Sequence, residues 1–153
     1  MQRYSDEVND FVDFMGITLK TEIIDNCEVI SGTNEIARGN EKRKNFATEI
    51  TVPKNIEVIG DYAFQGYPLL ESITLNEGLK KIGYGAFLDT KLKKIRIPST
   101  VKEINNFVAR DVIFEVAEGN KYFEYRDNCL IEKHTKRVIY ALNCEELPED
   151  VKI

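Results

Sequence analysis

Apolar residues recur along the middle of the chain with a period of about 23 residues. Three consecutive segments, 50–72, 73–94 and 95–112, align so that five columns are apolar throughout. The columns are Ile50, Ile73 and Ile95; Val52, Leu75 and Ile97; Ile56, Leu79 and Val101; Ile59, Ile82 and Ile104; and Phe64, Phe87 and Phe107. Self-similarity at a fixed period of this size is typical of stacked repeat architectures. The middle of the chain is therefore predicted to be a series of stacked coils.

Each copy opens on two apolar residues separated by one other residue, a pattern typical of a short strand. Pro53 and Pro98 follow two of these openings and would end the strand. The later run, at 59–64 in the first copy, fits a turn or a short 3₁₀ segment that crosses back. Residue types that accept left-handed backbone angles follow the fourth column, so a tight turn is predicted there. These residues are Gly60, Gly83 and Asn105.

A single coil cannot be stable alone. About seven buried side chains contribute roughly 10–20 kcal/mol of transfer free energy, and ordering about 23 residues costs at least as much. Several coils and two dissimilar ends are needed. Residues 1–49 do not fit the repeat and are predicted to be an N-terminal capping region. We expect a helix from Ser5 to about Met15, a hairpin over 17–31 and an exposed basic loop at 39–45.

The repeats resemble the leucine-rich repeat of the BspA type. The residues that match its pattern most closely are Leu92, Ile95, Ile97, Pro98, Val101 and Ile104. Residues 120–142 resemble the hairpin that this family interposes, with Asn128 where the family has glycine. The resemblance covers residues 50 to about 142. It implies an α/β solenoid of the leucine-rich-repeat type, with short parallel strands in coils of about 22–23 residues and a C-terminal hairpin insertion. It also implies adhesion or protein interaction.

These patterns divide the chain into three regions. Residues 1–49 form the capping region with its helix and hairpin, and residues 50–113 form three leucine-rich repeats. Residues 114–153 form a degenerate repeat with the hairpin, followed at 147–153 by the start of a further repeat or a C-terminal cap. The third copy lacks two residues before Phe107, which should shorten its crossover and bend or end the regular stack.

Composition and charge narrow the function classes. The 153 residues are 42% hydrophobic and 31% charged, as expected for one globular domain. The net charge of −5 has the wrong sign for a general nucleic-acid binder, although residues 50–113 alone carry +2. No apolar run approaches the roughly 18 residues of a membrane span, so no membrane insertion is expected. The start of the chain lacks a secretory pattern. This favours a cytoplasmic protein, or a cell-surface or secreted one if the chain is a fragment.

Candidate chemistry is sparse. The single histidine, His134, falls at the predicted hairpin turn, and Cys129 five residues earlier is a poor partner for it. Cys27, Cys129 and Cys144 lack the two-to-four-residue spacing of structural zinc sites, so no metal is expected. A Cys129–Cys144 bridge stays open as an alternative in an oxidising compartment. No phosphate-binding glycine motif occurs. We therefore expect no enzyme, cofactor or catalytic residue.

The strand residues that point away from the core carry the functional prediction. We predict a partner-binding face at Thr51, Thr74, Lys93, Lys94, Arg96 and Glu115. Regular sheets of this kind are commonly used as extended recognition surfaces. The first hypothesis is a non-catalytic protein-interaction module, acting as an adaptor or a stoichiometric inhibitor of another protein. The alternatives are a fragment of a cell-surface adhesion protein, and binding of nucleic acid or nucleoprotein through Lys80, Lys81, Lys93, Lys94 and Arg96.

Overall fold

The computed structural model describes residues 47–153 except 108 and 145, and the backbone of four strands that precede them. Fourteen strands and no helix lie in these residues. The strands are β1 (Asn9–Val12), β2 (Thr18–Ile24), β3 (Cys27–Ser31), β4 (Glu35–Ile36), β5 (Glu49–Thr51), β6 (Val58–Ile59), β7 (Ser72–Thr74), β8 (Lys81–Ile82), β9 (Lys94–Ile97), β10 (Glu103–Ile104), β11 (Ile113–Val116), β12 (Phe123–Arg126), β13 (Cys129–Glu132) and β14 (Arg137–Ala141).

The predicted opening strand of each repeat is present, and these strands pair in parallel. In β5 and β7, Ile50 lies opposite Ile73 and Thr51 opposite Thr74. In β9 and β11, Ile95 lies opposite Phe114. β7 and β9 belong to different sheets, so Ile73 and Ile95 of the first apolar column are not paired in the described strands. The two coils still meet just before these strands, where the Lys91 N–H donates to the Leu70 carbonyl at 2.9 Å.

Each repeat also carries a second strand, which the sequence pattern did not predict. It lies at the fourth apolar column and forms a parallel sheet in the order β10-β8-β6-β4. Ile59 lies opposite Ile82, and Ile82 opposite Ile104. Each of these strands has only two residues, too few to show a period. β10, in the shortened third copy, is the last strand of this sheet, in keeping with the expected end of the regular stack.

The glycines after the fourth column serve a different purpose from the one predicted. Gly60 and Gly83 are not among the residues with positive φ, which instead include Tyr62 (56°) and Gly85 (57°). At Gly83 the reason for glycine is close approach, because an added Cβ would lie 2.5 Å from the backbone of Asp61. The tight turn is therefore present, but its left-handed residue lies two positions later.

The core is one continuous apolar cluster, to which the opening strands and the second strands of the repeats both contribute. Phe64 and Phe87 stack with their ring centroids 5.5 Å apart and a 5° angle between their planes. Phe87 and Phe107 are 5.4 Å apart, with an angle of 34°. Phe107 then contacts Phe114 edge-on at 4.8 Å. The three phenylalanines of the fifth column therefore form a row, and the tilt increases in the copy that lacks two residues.

The predicted N-terminal helix is wrong over the residues that the structure describes. Asn9–Val12 is strand β1, antiparallel to β2, and the rest of the predicted helix lies outside the described residues. A helix of about eleven residues is marginal by itself, so hydrogen bonding to a neighbouring strand decides the conformation. The predicted hairpin over 17–31 is confirmed as β2 and β3. β3 pairs in parallel with β5, so it extends the sheet of the first repeat. The basic loop at 39–45 lies outside the described residues.

The predicted C-terminal hairpin is present and has three antiparallel strands, β12, β13 and β14. Its first turn has two left-handed residues, Asp127 (φ 50°) and Asn128 (φ 58°), which explains how asparagine replaces the glycine of the family pattern. The following segment repeats a turn of the earlier coils: the Val151 N–H donates to the Pro148 carbonyl at 3.2 Å, as Ile56 does to Pro53 at 3.1 Å. Residues 147–153 thus begin like a further repeat.

Candidate functional site

The six residues predicted for the partner-binding face are all exposed, but the structure divides them between two sheets. Thr51 and Thr74 lie side by side on β5 and β7. Arg96 of β9 lies opposite Glu115 of β11. Strand geometry explains the exposure, because the residues on either side of each of these positions are mostly buried and side chains alternate between the two faces. The threonine pair and the charged pair are therefore neighbouring patches.

Four side chains make a charged cluster on the second patch: Glu77, Lys94, Arg96 and Glu115. The Glu115 carboxylate forms an ion pair with Lys94 at 2.9 Å, and its other oxygen lies 3.5 Å from the Arg96 Nε. The Arg96 Nη1 lies 3.3 Å from a carboxylate oxygen of Glu77. All four are about half exposed, so each pair contributes little to stability by itself. The cluster presents alternating charges in a defined arrangement.

The basic residues of the nucleic-acid hypothesis are paired with carboxylates. Lys93 lies 4.0 Å from Asp111 and Lys94 contacts Glu115, so neither lysine is an isolated positive charge. The remaining three pairs have distances of 2.8, 2.9 and 3.3 Å: Lys80 with Glu57, Lys81 with Glu103, and Arg96 with Glu77. Neighbouring carboxylates lower the positive potential on which phosphate binding depends. The geometry therefore disfavours the nucleic-acid alternative.

Ile113 is an apolar neighbour of the charged cluster that the sequence analysis missed. It is 51% exposed, lies opposite Lys94 in the sheet and precedes Glu115 by two residues, so both point to the same face. An open cleft begins beside them, between residues 114–120 and β12, and Glu115 and Glu124 line it. Ile113 directly precedes the apolar-x-apolar motif of Phe114 and Val116, and the apolar run from Val112 to Phe114 hides which of its members faces outward. The pairing register is needed to identify it.

Glu77 also escaped the sequence analysis, although it connects the charged cluster to the following turn. One oxygen contacts Arg96, and the other accepts hydrogen bonds from the Ser99 hydroxyl at 2.7 Å and the Ser99 N–H at 3.0 Å. The Ser99 hydroxyl is the main cause that holds the pKa of Glu77 below its usual value, and Arg96 adds to the effect. Glu77 precedes Ser99 by 22 residues, the repeat distance, which is the only sequence signal for this contact.

Ser99→Ala is expected to raise the pKa of Glu77, as measured by carboxyl carbon NMR titration. A lowered folded-state pKa stabilises the protein above the usual glutamate value, and this stability is lost as the pH falls below 4.5 through the folded-state pKa. Ser99→Ala should therefore make stability less sensitive to acid. Ser72→Ala, at a serine that is not a partner of Glu77, should leave the titration unchanged. Equal titration curves for wild type and Ser99→Ala would contradict the assignment.

The structure separates Cys129 from His134, so they do not form a catalytic pair. Cys129 is buried at the first position of β13, whereas His134 is exposed in the turn beyond the other end of that strand. Within the described part of the chain, no three histidine, cysteine, aspartate or glutamate side chains lie close enough together to bind a metal ion. That part also contains no helix that is long and apolar enough to cross a membrane.

The stacked strands and repeated turns define a leucine-rich repeat protein. Residues 42–147 match the BspA type leucine rich repeat region in six copies, so the chain belongs to this family. Its members are generally non-catalytic repeat proteins. Six copies exceed the three regular copies and one degenerate copy expected from the apolar columns, because the family pattern also recognises the less regular coils on either side.

Similarity to a solved structure supports this fold. A leucine-rich repeat protein from Eubacterium ventriosum is 17% identical, with a TM-score of 0.58 over 92% of this chain and 54% of that one. Two further structures match less well. The Pneumococcal vaccine antigen PcpA is 17% identical, with a TM-score of 0.46 over 95% of this chain and 60% of that one. A leucine rich cell surface protein from Faecalibacterium prausnitzii is 15% identical, with a TM-score of 0.47 over 96% of this chain and 66% of that one. This chain thus spans about half the length of the first. No curated protein matches. These comparisons do not support the cytoplasmic location predicted from the sequence.

Proposed function

We propose that the chain is a non-catalytic protein-interaction module. It recognises a partner through the exposed face of the strands that open the repeats, β5, β7, β9 and β11. This face consists of Thr51, Thr74, Lys93, Lys94, Arg96 and Glu115. Ile113 lies among them. The observation that supports the proposal most strongly is the combination of an exposed isoleucine with a surrounding charged cluster. Binding energy in protein interfaces concentrates on a few residues that become fully desolvated, and a polar rim surrounds them.

The charged cluster favours a protein partner of complementary charge pattern. Its charges alternate in sign over a short distance, so an approaching surface meets both attraction and repulsion unless its own charges match. Such patterns govern which partner binds more than how tightly it binds. The stacking of the repeats into a solenoid would give the face a defined shape before binding, which limits the entropy lost on association. To act, an adaptor or a stoichiometric inhibitor needs only to bind the surface of its partner.

The location of the partner is part of the proposal. The chain spans 54% of the Eubacterium ventriosum structure, so it corresponds in length to a piece of a larger repeat protein. As a module of a cell-surface protein it would act in adhesion, whereas inside the cell it would act as an adaptor or inhibitor. The two versions differ in where the binding partner is found. Capture should therefore be performed separately on surface-protein and soluble extracts.

The test is a charge exchange that preserves the ion pair. In Lys94→Glu with Glu115→Lys, the two charges change places, so the 2.9 Å pair can re-form, while the contact between position 115 and Arg96 becomes repulsive and the pattern presented to a partner is inverted. Affinity capture followed by mass spectrometry identifies proteins held by the wild type, and binding to the purified partner is then measured. We expect the exchange to weaken binding at least about tenfold, equivalent to ~1.4 kcal/mol.

A matched control exists on the sheet formed by β10, β8, β6 and β4. Lys81 and Glu103 also form a 2.9 Å pair between parallel strands, and exchanging them by Lys81→Glu with Glu103→Lys makes the same chemical change away from the proposed face. The control variant should bind within about twofold of wild type. Equal loss of binding in both variants, or none in either, would contradict the assignment of this face. Capture that disappears on nuclease treatment would favour the nucleic-acid alternative.

A further inference from the structure

Two free cysteine thiols lie in contact at the C-terminal hairpin. Cys129 begins β13 and is fully buried, and Cys144 lies three residues beyond the end of β14 and is half-buried. Their sulfur atoms are 3.3 Å apart. The Cys144 sulfur also lies 3.3 Å from the carbonyl oxygens of Asp127 and Glu146. The thiol of Cys144 is therefore held over that of Cys129 by several contacts.

The backbone brings the two sulfur atoms together independently of any sulfur chemistry. Antiparallel pairing places Cys129 opposite Ala141, and the Leu142 N–H donates to the Asn128 carbonyl at 2.9 Å. The chain after β14 must therefore pass beside the start of β13. Farther along, the tail is held to the hairpin by hydrogen bonds between Val138 and Lys152, and between Lys152 and Lys136. The approach of the sulfurs follows from this path.

We propose that Cys129 and Cys144 are a disulfide site, and that a low-molecular-weight disulfide such as oxidised glutathione converts them to an intramolecular bridge. The two sulfurs need to move only about 1.3 Å closer to reach the bond length of a disulfide. The bridge would close the loop 129–144 and join the C-terminal segment covalently to the hairpin. The inference does not depend on the proposed protein-binding function.

The reaction is balanced by the oxidant. The thiolate of Cys144 attacks one sulfur of oxidised glutathione, which forms a mixed disulfide and releases one glutathione thiolate. Cys129 then loses its proton and attacks the Cys144 sulfur, forming the protein disulfide and releasing the second glutathione. Two electrons pass from the two protein thiols to the glutathione disulfide, and each released glutathione thiolate takes up one of the two protons.

The surroundings of the two thiols assign their order of reaction. Cys144 is accessible, whereas burial is the main cause that raises the pKa of Cys129 to about 11, with the hydrogen bond to Cys144 adding to it. A buried thiol with a raised pKa is a poor nucleophile toward a reagent in solution. Cys129 can nevertheless attack Cys144, which it already touches. Cys144 is therefore the attacking thiol and Cys129 the resolving one.

The experiment uses the full chain, reduced and then equilibrated with oxidised glutathione. Remaining thiols are alkylated, and intact mass and non-reducing tryptic maps are recorded. We expect one alkylated thiol, at Cys27, and a disulfide that links tryptic peptides 127–133 and 138–152. Thermal unfolding of the oxidised chain should occur about 5–10 °C higher than that of the reduced chain, because the bridge restricts the unfolded state.

Serine variants separate the two roles. Cys144→Ser should leave Cys129 reduced in the folded chain, whereas Cys129→Ser should retain one glutathione on Cys144. Cys27→Ser is the matched control and should form the bridge like wild type. Circular dichroism of the reduced variants checks that they fold. Three alkylated thiols in the folded wild type, or a bridge that includes Cys27, would overturn the proposal.

Discussion

Replacing Phe87 with alanine is expected to lower the free energy of unfolding by about 3–5 kcal/mol. Phe87 is 1% exposed and lies between Phe64 and Phe107 in the row, at centroid distances of 5.5 and 5.4 Å. Truncation would leave a cavity with an aromatic ring on each side, and would remove both ring contacts, each worth roughly 0.5–1.5 kcal/mol beyond burial. Because each repeat is stabilised mainly by its neighbours, the loss would affect both adjoining coils.

Denaturant unfolding followed by circular dichroism measures this loss. Tyr84→Ala provides a matched control, since it removes an aromatic side chain from the same repeat that contacts one other ring, Tyr62, at 5.4 Å. Tyr84 is 40% exposed, so its truncation should cost about 1 kcal/mol or less. A similar loss in both variants would show that the phenylalanine row is not the centre of the core.

The repeat columns could be predicted because stacking makes the same demand of every coil. A residue such as Ile82 has its equivalents, Ile59 and Ile104, directly beside it in the neighbouring strands. Each must therefore be apolar and of similar shape, and the requirement is visible in the sequence as a column. The phenylalanine row follows the same rule. Periodicity is thus a reliable guide where each residue contacts its own counterparts.

The segment of β1 has no such counterparts, and its prediction as a helix was wrong. Phe11 and Val12 fit the spacing of a helix, yet they belong to β1, whose partner is β2. Aromatic and β-branched residues are compatible with either structure when the segment is short. Only the availability of a neighbouring strand decides between them. The two-residue strands β4, β6, β8 and β10 were not predicted, because their pairing is also decided by neighbouring coils.

The candidate face was predicted in its exposed positions but not in its electrostatics. Alternation along a strand identified Arg96 and Glu115 as outward-facing, and the structure confirms their exposure. From the sequence, Lys93, Lys94 and Arg96 are expected to be a group of basic side chains without acidic partners, since the acids that pair with them lie in other repeats. Glu77 precedes Arg96 by 19 residues, and Asp111 follows Lys93 by 18. Such partners become evident only when the coils are placed side by side.

Buried asparagines show how polar groups are also matched between coils. The Asn76 amide donates to the Pro53 and Ile56 carbonyls at 2.7 and 3.2 Å. Asn120 makes the same two bonds, at the same two distances, to Pro98 and Val101. These carbonyls flank the turn that ends each opening strand. An asparagine of the next coil thus satisfies the turn of the preceding one.

Asn120→Ala is expected to lower the free energy of unfolding by about 3–5 kcal/mol, because it would remove a hydrogen bond from each of four backbone groups. Besides its two donated bonds, the Asn120 side-chain oxygen accepts from the N–H groups of Tyr122 and Phe123 at 2.8 and 2.9 Å. Asn120 is 3% exposed, so water cannot easily replace these bonds. The side chain also fixes the approach to β12, and its loss should loosen the C-terminal hairpin. Hydrogen exchange at the amides of β12 would report that loosening.

Two other asparagines make the prediction specific. The Asn76 oxygen is buried without a hydrogen-bond partner, so Asn76→Ala loses two bonds but also removes this unsatisfied group, and should cost about 1–3 kcal/mol. Asn106 is exposed, and Asn106→Ala should change stability by about 0.5 kcal/mol or less. The expected order of destabilisation is therefore Asn120, Asn76, Asn106. If Asn120→Ala were no more destabilising than Asn76→Ala, the two bonds to the Tyr122 and Phe123 amides would contribute nothing, and the hairpin would be positioned by its apolar contacts alone.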